Sequence, residues 1–256
     1  MIAALDRFWR LIATGISFSL FGLGGIVMAL IVYPLMNLVI RDRKRREEIA
    51  QWSVHVLWAF FVWIMKTLGV LTYECRGKEI LRADVGTMVV ANHPSLIDVV
   101  FLMSFMRRSQ AVVKEGVWKN PFMAGVVRAT NYIPNLGDPE RLVADCAAVL
   151  RAGKNLCIFP EGSRTVPGHP RRYQRGFAYA AIAANAPIRL CTIVCDPPTL
   201  LKGEPWHRIP TRRPHWLITV HERIEPPAGT GYDKGPMGVR KLTAQVEARI
   251  EELLHA

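Results

Sequence analysis

Residues 87–106, TMVVANHPSLIDVVFLMSFM, contain an apolar strand, a polar turn and an apolar helix in succession. Residues 87–91 favour a buried strand, and Pro94 and Ser95 then break the strand and favour a helix that starts at Ser95. The same alternation predicts strands at 71–75, 87–91, 111–114, 156–159, 188–194 and 216–220, and helices at 95–106, 121–127, 139–152, 177–184 and 239–254. Strands that alternate with helices indicate an α/β domain.

A stretch of 30 residues without a charged side chain, 11–40, precedes this domain. A helix needs about 20 apolar residues to span a bilayer, so the stretch is long enough for one full crossing. Its glycines and Pro34 would also allow a kinked or re-entrant hairpin. The stretch is much longer than the h-region of a cleaved signal peptide, so we expect a retained membrane anchor.

The six residues that follow, 41–46 (RDRKRR), include five basic ones. Basic residues beside an apolar span stay on the cytoplasmic side, so the rest of the chain is expected to face the cytoplasm, at a bacterial-type inner membrane or its equivalent. The cluster should also attract anionic headgroups, which makes membrane lipids expected partners.

A second apolar segment, 47–71, is rich in tryptophan and is interrupted by His55 and Lys66. Because tryptophan favours the headgroup region, we prefer an interfacial helix here, and a second spanning helix is the alternative. The chain is therefore divided into a membrane anchor, 1–71, and an α/β domain, 72–256.

The composition excludes several classes of protein. Hydrophobic residues make up 50% of the 256 and charged residues 21%, which excludes an intrinsically disordered chain. The net charge of +12 predicts anionic partners, but no nucleic-acid-binding module is recognisable, and no nucleic acid is expected. The five cysteines form no CxxC pair, which argues against a disulfide scaffold and a zinc ribbon.

The polar turn after the strand at 87–91 is the first candidate site. His93 lies in this turn and Asp98 in the first turn of the next helix, so the carboxylate can reach the imidazole. A carboxylate on one ring nitrogen leaves the other nitrogen to accept a proton from a hydroxyl. Ser95 and Asp98 also have the spacing of a capping box, in which Asp98 would only cap the helix. Both interpretations remain open.

A second candidate site, 159–165 (FPEGSRT), follows another apolar strand. Open α/β sheets bind ligands at such strand ends. Gly162 would allow a ligand to approach the backbone, and Arg164 can bind a phosphate with two hydrogen bonds. The alternative is an exposed turn with solvated charges.

Together, the two segments resemble the 1-acylglycerol-3-phosphate acyltransferase (lysophospholipid acyltransferase) family. That family pairs an N-H-x4-D block with an F-P-E-G-T/S-R-S/T block, and here Asn92-His93 and Asp98 precede 159–165 by about 60 residues. The resemblance covers residues 72–222. It implies a mixed central sheet flanked by helices, behind an N-terminal membrane-anchoring helical segment.

The resemblance implies direct transfer of a fatty acyl group from acyl-CoA or acyl carrier protein to the hydroxyl of a lysophospholipid, by default lysophosphatidic acid. His93 would be the general base and Asp98 would orient it, without an acyl-enzyme intermediate, a metal or a cofactor other than the thioester co-substrate. The remaining residues of the two blocks would form the acceptor site: Asn92, Ser95, Glu161, Gly162, Ser163, Arg164 and Thr165. No G-x-S-x-G turn is present, in agreement with direct transfer.

Two positions depart from the family pattern. Asn135 stands where a G-x-x-F-I-x-R block has its arginine, and Cys191 stands where a V-P-I-x-P-V block has its second proline. A charge-assisted phosphate contact is worth roughly 1.5–3 kcal/mol, which is enough to change the preferred acceptor. Lys114, Arg128 and Arg189 could compensate, and Lys114 and Arg128 are added to the predicted acceptor site.

Two alternatives remain. The same chemistry could act on another acceptor, in an ornithine-lipid or aryl-polyene type of pathway. A non-catalytic membrane scaffold would explain the anchor and the basic surface, but it would not explain two motifs at strand ends.

Overall fold

A computed structural model describes residues 2–227 and 235–255, and seven strands in the first range form one mixed sheet. The strands are β1 (Thr72–Arg76), β2 (Met88–Ala91), β3 (Ser109–Lys114), β4 (Ile133–Asn135), β5 (Asn155–Ile158), β6 (Ile188–Asp196) and β7 (His215–Ile224). Their order is β1-β7-β6-β2-β5-β3-β4, and all neighbours are parallel except β6 and β7. The α/β fold with a mixed central sheet is confirmed.

Parallel pairing brings the carboxyl ends of β2 to β6 to one edge of the sheet, which we call the carboxyl edge. Val90 of β2 pairs with Ile158 of β5, so the chain leaves these two neighbouring strands at the same level. The two predicted motifs follow these strands directly. They are therefore adjacent in the fold although they are far apart in the sequence.

Helices cover both faces of the sheet. They are α1 (Ile2–Val27), α2 (Tyr33–Val39), α3 (Arg43–Thr67), α4 (Lys78–Ala83), α5 (Asp98–Phe105), α6 (Glu115–Lys119), α7 (Pro121–Ala129), α8 (Pro139–Arg151), α9 (Gly176–Ala184) and α10 (Pro236–His255). Val89 and Ala91 of β2 point into a core shared with α3, α5 and α7, whereas Met88 and Val90 point into a core shared with α8, α9 and α10. Alternate residues of a buried strand thus fill two separate cores.

All the predicted strands and helices are present, with ends that differ by a few residues. The elements β4, α4 and α6 were not predicted, because three to six residues carry little periodic pattern. The helix predicted to start at Ser95 starts at Asp98 instead. The residues between them form a turn around the Asp98 carboxylate.

The N-terminal apolar stretch is one long helix in which a π-helical turn, Met28–Val32, joins α1 to α2. The chain reverses at 40–42, after the apolar stretch and not within it, and α3 runs back beside α1. Phe18 and Phe21 of α1 contact Phe61 of α3 at ring-centroid distances of 5.6 and 4.8 Å. The kinked hairpin considered for residues 11–40 is therefore not adopted.

The outer face of this helix pair is apolar. The stretches Ala3–Val39 and Arg43–Thr67 are each long and apolar enough to cross a membrane, which weakly suggests membrane association. Large exposed side chains on this face include Leu20, Leu30, Leu38, Phe60 and Trp63. The division into 1–71 and 72–256 stays a prediction, and residues 1, 228–234 and 256 of these ranges lie outside the described residues.

The loop at 197–214, between β6 and β7, is bound to α1. The fully buried Arg10 guanidinium donates to the carbonyl oxygens of residues 210, 211 and 212 over 3.0–3.2 Å, and its Nε donates to Asp6. Arg7 Nε donates to the carbonyl oxygen of Ile209 over 2.9 Å. These bonds tie the N-terminal helix to a loop that begins at the carboxyl edge.

Candidate active site

His93 and Asp98 form a hydrogen-bonded pair at the carboxyl edge. His93 Nδ1 lies 2.9 Å from Asp98 Oδ2, the carboxylate is fully buried, and the His93 side chain is 17% exposed. A carboxylate acceptor favours the tautomer with the proton on Nδ1. The Nε2 lone pair then remains to accept a proton, and Nε2 has no hydrogen-bond partner among the described residues.

The same carboxylate also caps the turn that holds it. The Ser95 N–H donates to Asp98 Oδ2 over 2.6 Å, and the Ser95 hydroxyl donates to Oδ1. Trp216 Nε1 donates in turn to Ser95 Oγ over 3.1 Å. Asp98 is therefore both the partner of the imidazole and the acceptor that holds the turn before α5, whose N-cap, Ile97, makes no side-chain cap hydrogen bond. Ser95 is buried behind the carboxylate, so its geometry does not support the predicted contact with a substrate.

The second motif holds the main chain of His93. Glu161 Oε1 accepts hydrogen bonds from the His93 N–H over 2.9 Å and from the Thr165 hydroxyl over 3.0 Å. The Thr165 N–H donates to the His93 carbonyl oxygen over 2.7 Å. Both main-chain polar groups of His93 are thus fixed by one turn, and Glu161 and Thr165 position the histidine.

Phe159 opens the second candidate segment, 159–165, but the sequence analysis gave it no role of its own. Its ring stacks on the His93 imidazole with a centroid distance of 4.1 Å and an interplanar angle of 21°. Gly162 makes the tight turn after it, with φ +66° and an N–H that donates to the Phe159 carbonyl oxygen over 3.0 Å. A side chain would strain this left-handed conformation.

Arg164 lies between the second motif and the loop at 197–214. Its Nη1 donates to the carbonyl oxygens of Leu200 and Leu201 over 2.9 and 2.8 Å, so part of the guanidinium is committed to the loop. The other guanidinium nitrogens have no hydrogen-bond partner among the described residues. Lys202 Nζ donates to Ser163 Oγ over 3.3 Å, which adds a cation that was not predicted.

Lys114 lies beside Asn135, the position at which the family pattern has an arginine. The two residues are register partners at the carboxyl ends of β3 and β4, and both are exposed. Register partners in a parallel pair project their side chains to the same face of the sheet. The ammonium group of Lys114 therefore lies on the correct edge to replace the missing guanidinium.

The other two compensating cations lie elsewhere. Arg189 is near the start of β6, at the opposite edge, and binds the carboxylate of Asp84 with Nε and Nη2, each over 2.8 Å. Arg128, in the last turn of α7, lines a different cavity, with its guanidinium 5.8 Å from the centre of the Trp118 ring. The structure does not bring Arg128 together with His93.

Asn92 is buried and joins β2 to β6. Its amide group donates to the Ile193 carbonyl oxygen and accepts from the Ile193 N–H, both over 2.8 Å. With both ends of the amide used, the predicted contact between Asn92 and the acceptor has no geometric support. The residue fixes the strand end from which His93 projects.

Two cysteines near the pair are unsuited to nucleophilic catalysis. Burial, and to a smaller degree the charge of Asp98, raises the pKa of Cys157 to about 12. Burial also raises the pKa of Cys195 to about 12. Both are therefore thiols at neutral pH. Within the described ranges, no group of three or more His, Cys, Asp or Glu side chains could hold a metal ion.

The arrangement can be compared with known proteins. The sequence model of the Acyltransferase family matches residues 72–195. The chain is 24% identical over 200 residues to the 1-acyl-sn-glycerol-3-phosphate acyltransferase of Pseudomonas aeruginosa, which covers 76% of this chain and 74% of that protein. It is 26% identical over 140 residues to the protein of the same name from Cocos nucifera, which covers 52% of this chain and 44% of that one.

A solved structure shares the whole fold. The crystal structure of the 1-acyl-sn-glycerophosphate acyltransferase PlsC from Thermotoga maritima matches with a TM-score of 0.64 at 18% identity, across 96% of this chain and 98% of that one. The N-terminal helices are thus part of the common architecture. The residues matched by the family model include both motifs at the carboxyl edge, so residues 72–195 form an Acyltransferase family domain, similar to the O-acyltransferases that act on 1-acyl-sn-glycerol-3-phosphate.

Proposed function

We propose that this protein transfers a fatty acyl group from acyl-CoA or acyl carrier protein to the hydroxyl of a lysophospholipid, with lysophosphatidic acid as the default acceptor. The observation that carries the proposal is the His93 Nδ1–Asp98 Oδ2 hydrogen bond of 2.9 Å at the strand end, with Nε2 left as a base. The names of the curated relatives support the acceptor class. No metal or cofactor other than the thioester co-substrate is proposed.

The chemistry needs one base and no covalent intermediate. His93 Nε2 takes the proton of the acceptor hydroxyl, and the oxygen forms a bond to the thioester carbonyl carbon. The carbon–sulfur bond then breaks, and the leaving thiolate takes the proton from the imidazolium. Asp98 stabilises the imidazolium that forms between these steps, and a positioned general base typically contributes about 10²–10⁴-fold to the rate.

The acceptor phosphate is proposed to bind between Lys114 and the free guanidinium nitrogens of Arg164. Both cations belong to the carboxyl edge, Lys114 at the end of β3 and Arg164 between the turn after β5 and the loop after β6. Asn135 takes away one charge compared with the family pattern, and this favours a second candidate acceptor, a less anionic lysolipid from a specialised pathway.

The helix pair is proposed to lie in the membrane interface. The α/β domain packs along α1 from Arg7, which bonds Ile209, to the π-helical turn at Ala29, which contacts Gly125 of α7. These positions are 22 residues apart, about 33 Å of helix, whereas the hydrocarbon core is about 30 Å thick. A perpendicular crossing would draw the packed domain into lipid. Immersion of the apolar outer face alone avoids this cost and keeps the domain in water. The cytoplasmic side is proposed from the basic residues at 41–46.

The membrane geometry can be tested through the exposed tryptophans Trp52 and Trp63. In vesicles, their fluorescence should be quenched more by lipids brominated near the headgroup than by lipids brominated near the chain ends. Stronger quenching from the chain ends would contradict the interfacial geometry.

The reaction can be tested by thiol release from acyl-CoA and from acyl carrier protein, with purified protein in lipid nanodiscs and with or without lysophosphatidic acid. We expect thiol release that needs both the acceptor and His93, so the His93→Ala variant should release no thiol above background. Release that appears only with another lysolipid would keep the chemistry and change the acceptor. No thiol release with any lysolipid and either acyl carrier would refute the proposal.

A further inference from the structure

A cavity of about 350 Å³ lies at the edge of the sheet opposite His93. It is open to solvent on one side and is lined by the π-helical turn, α2, the start of α3 and the end of α7. Glu47, on its wall, accepts a hydrogen bond from Gln110, which pairs with Leu156 at the start of β5. Leu156 also pairs with Met88, five residues before His93, so the strands separate the two sites by about 16 Å.

Three arginines of this cavity have no acidic partner. Arg43, Arg46 and Arg128 line it, and no carboxylate lies within 4.0 Å of their guanidinium groups among the described residues. The single carboxylate on the wall, Glu47, is paired with Lys154 and also accepts from Gln51 and Gln110. The cavity therefore holds a net positive charge that the protein does not neutralise.

The direction of α3 increases this charge. Arg43 is the first residue of α3 and Arg46 lies in its first turn, which contains no acidic residue. The N-terminus of a helix carries about half a positive charge. The N-cap residue Asp42 offsets part of this charge, since its carboxylate accepts the Lys44 N–H over 2.9 Å. Asp42 does not line the cavity, so the Arg43 and Arg46 guanidinium groups remain without an acidic partner there.

The rest of the cavity lining is mixed. Apolar side chains come from Ala29, Pro34, Met36 and Ala129, polar ones from Tyr33, Asn37 and Asn131, and the neighbouring outer face of α2 exposes Leu38 at 80%. A ligand that carries a phosphate beside an apolar body would fit this lining. Its chains could continue along the exposed face of α2, which is proposed above to lie in lipid.

We propose that this cavity is a second, non-catalytic site that binds the phosphate headgroup of an anionic phospholipid. Guanidinium groups suit this ligand because they bind phosphate oxygens through paired hydrogen bonds. The inference rests on the proposed membrane association, because lipid reaches the cavity along α2. It does not depend on the acyl-transfer reaction, since no residue of the cavity belongs to the carboxyl edge.

Retention of lipid by the full-length chain tests this site. The delipidated protein in a neutral detergent would be offered phosphatidylglycerol, phosphatidylcholine or inorganic phosphate, and bound ligand would be counted by native mass spectrometry. Arg43→Gln/Arg46→Gln is the test variant. Lys44→Gln/Arg45→Gln is its matched control, because it removes two charges from the same turn at positions outside the cavity. Arg164→Gln reports on the acceptor site.

The wild type should retain phosphatidylglycerol in preference to phosphatidylcholine. Arg43→Gln/Arg46→Gln should weaken this retention at least about tenfold, while Lys44→Gln/Arg45→Gln and Arg164→Gln leave it within about twofold. Equal losses of phosphatidylglycerol retention in the two double variants would show that a basic segment attracts the lipid by charge alone, without a specific site. Loss of phosphatidylglycerol retention in Arg164→Gln would show that the lipid binds at the acceptor site and not in this cavity. Phosphate binding without lipid binding would refute the lipid assignment.

Two controls distinguish loss of lipid binding at this cavity from loss of folding and from loss of membrane association. Circular dichroism shows whether each variant is folded. Flotation with neutral vesicles measures membrane association by itself, and the His93→Ala variant should retain phosphatidylglycerol as the wild type does. A protein that transfers acyl groups and floats with vesicles, yet shows no preference for phosphatidylglycerol, would overturn the second site alone.

Discussion

The N–H of Thr165 donates to the carbonyl oxygen of His93 over 2.7 Å, so a residue of the second motif holds the histidine of the first by its main chain. Glu161 Oε1 binds the N–H of the same histidine over 2.9 Å. The imidazole is thus placed by a turn about 70 residues further along the chain. The two motifs form one structural unit, in which the second keeps the imidazole of the first in position.

Removal of the Glu161 carboxylate should slow turnover although it does not touch the reacting groups. In Glu161→Ala the His93 N–H and the Thr165 hydroxyl lose their acceptor, and a base that is misplaced by about 1 Å can cost about 100-fold in rate. Glu161→Gln keeps an acceptor oxygen and should retain most of the kcat. Steady-state kinetics with both variants checks this. Equal loss in the two would show that the charge, and not the hydrogen bond, is required.

His93→Ala and Asp98→Ala should differ in stability while both lose activity. Each should lower turnover by about 10²–10⁴-fold. The His93 side chain is partly exposed, so its loss should leave thermal unfolding near that of the wild type. Asp98→Ala leaves the buried Ser95 N–H without an acceptor, which costs about 1–3 kcal/mol. Identical melting curves for the two variants would contradict the role of Asp98 in holding the turn at Ser95.

Lys114→Ala should raise the KM for a phosphate-bearing acceptor about tenfold and leave kcat nearly unchanged. Lys119→Ala is the matched control, because Lys119 is exposed and paired with Glu115. Asn135→Arg in the Lys114→Ala background should restore the KM, since the two positions are register partners. Kinetics with varied acceptor measures both effects, and an unchanged KM in Lys114→Ala would remove this residue from the acceptor site.

Gly125→Ala should loosen the contact between α7 and the N-terminal helix. A Cβ at position 125 would lie 2.5 Å from the Cβ of Ala29, and overpacking of this kind costs about 1–3 kcal/mol. Gly116→Ala is the control, because nothing lies within 4 Å of its added carbon. Ala29→Gly should relieve part of the loss in a double-mutant cycle of unfolding free energies. Additive effects would show that the two positions do not touch.

The cysteines should resist alkylation until the pH is high. Burial raises the pKa of Cys75 to about 11 and those of Cys146, Cys157 and Cys195 to about 12. Because the thiolate is the reactive form, iodoacetamide at pH 8 should label the folded chain slowly and the chain in guanidinium completely, as mass spectrometry can count.

The same pKa shifts predict how stability changes at alkaline pH. The folded-state pKa values lie above the unfolded value of about 8.5, so their contribution to stability is fully present below that pH. It is lost as the pH rises toward 11 and 12. Denaturant unfolding at pH 8, 9 and 10 measures the loss. Rapid labelling of Cys157 at pH 8 would contradict the burial argument.

The order of strands and helices, and the two motifs, could be predicted from the sequence because both are local. Residues 87–98 carry the strand, the turn and the start of the helix in consecutive positions. The roles of individual residues depend on contacts between distant segments. Asn92 and Ser95 looked like ligand contacts, yet they bind Ile193 and Asp98 inside the fold. Phe159 was part of the second motif but had no predicted role, and the fold stacks it on the imidazole.

The positions of the three cations considered as replacements for the family arginine, Lys114, Arg128 and Arg189, could not be predicted from the sequence either. Strand β4 has only three residues and was not predicted, so the neighbour of Asn135 was unknown. The register of β3 and β4 places Lys114 there, while Arg189 is used by Asp84 and Arg128 lies at another cavity. Sheet order and register separate these three cations, and neither follows from local pattern.

Through Arg10, α1 also holds the loop at 197–214 in place. The Arg10 guanidinium holds three carbonyls of the loop whose Leu200 and Leu201 carbonyls accept from Arg164. Deleting this helix to obtain a water-soluble enzyme would leave those carbonyls without a donor and loosen the loop at 197–214 beside the proposed acceptor site. A soluble version has to be made by replacing outward-facing leucines such as Leu30 and Leu38 with polar residues, while the inward face of the helix is kept intact.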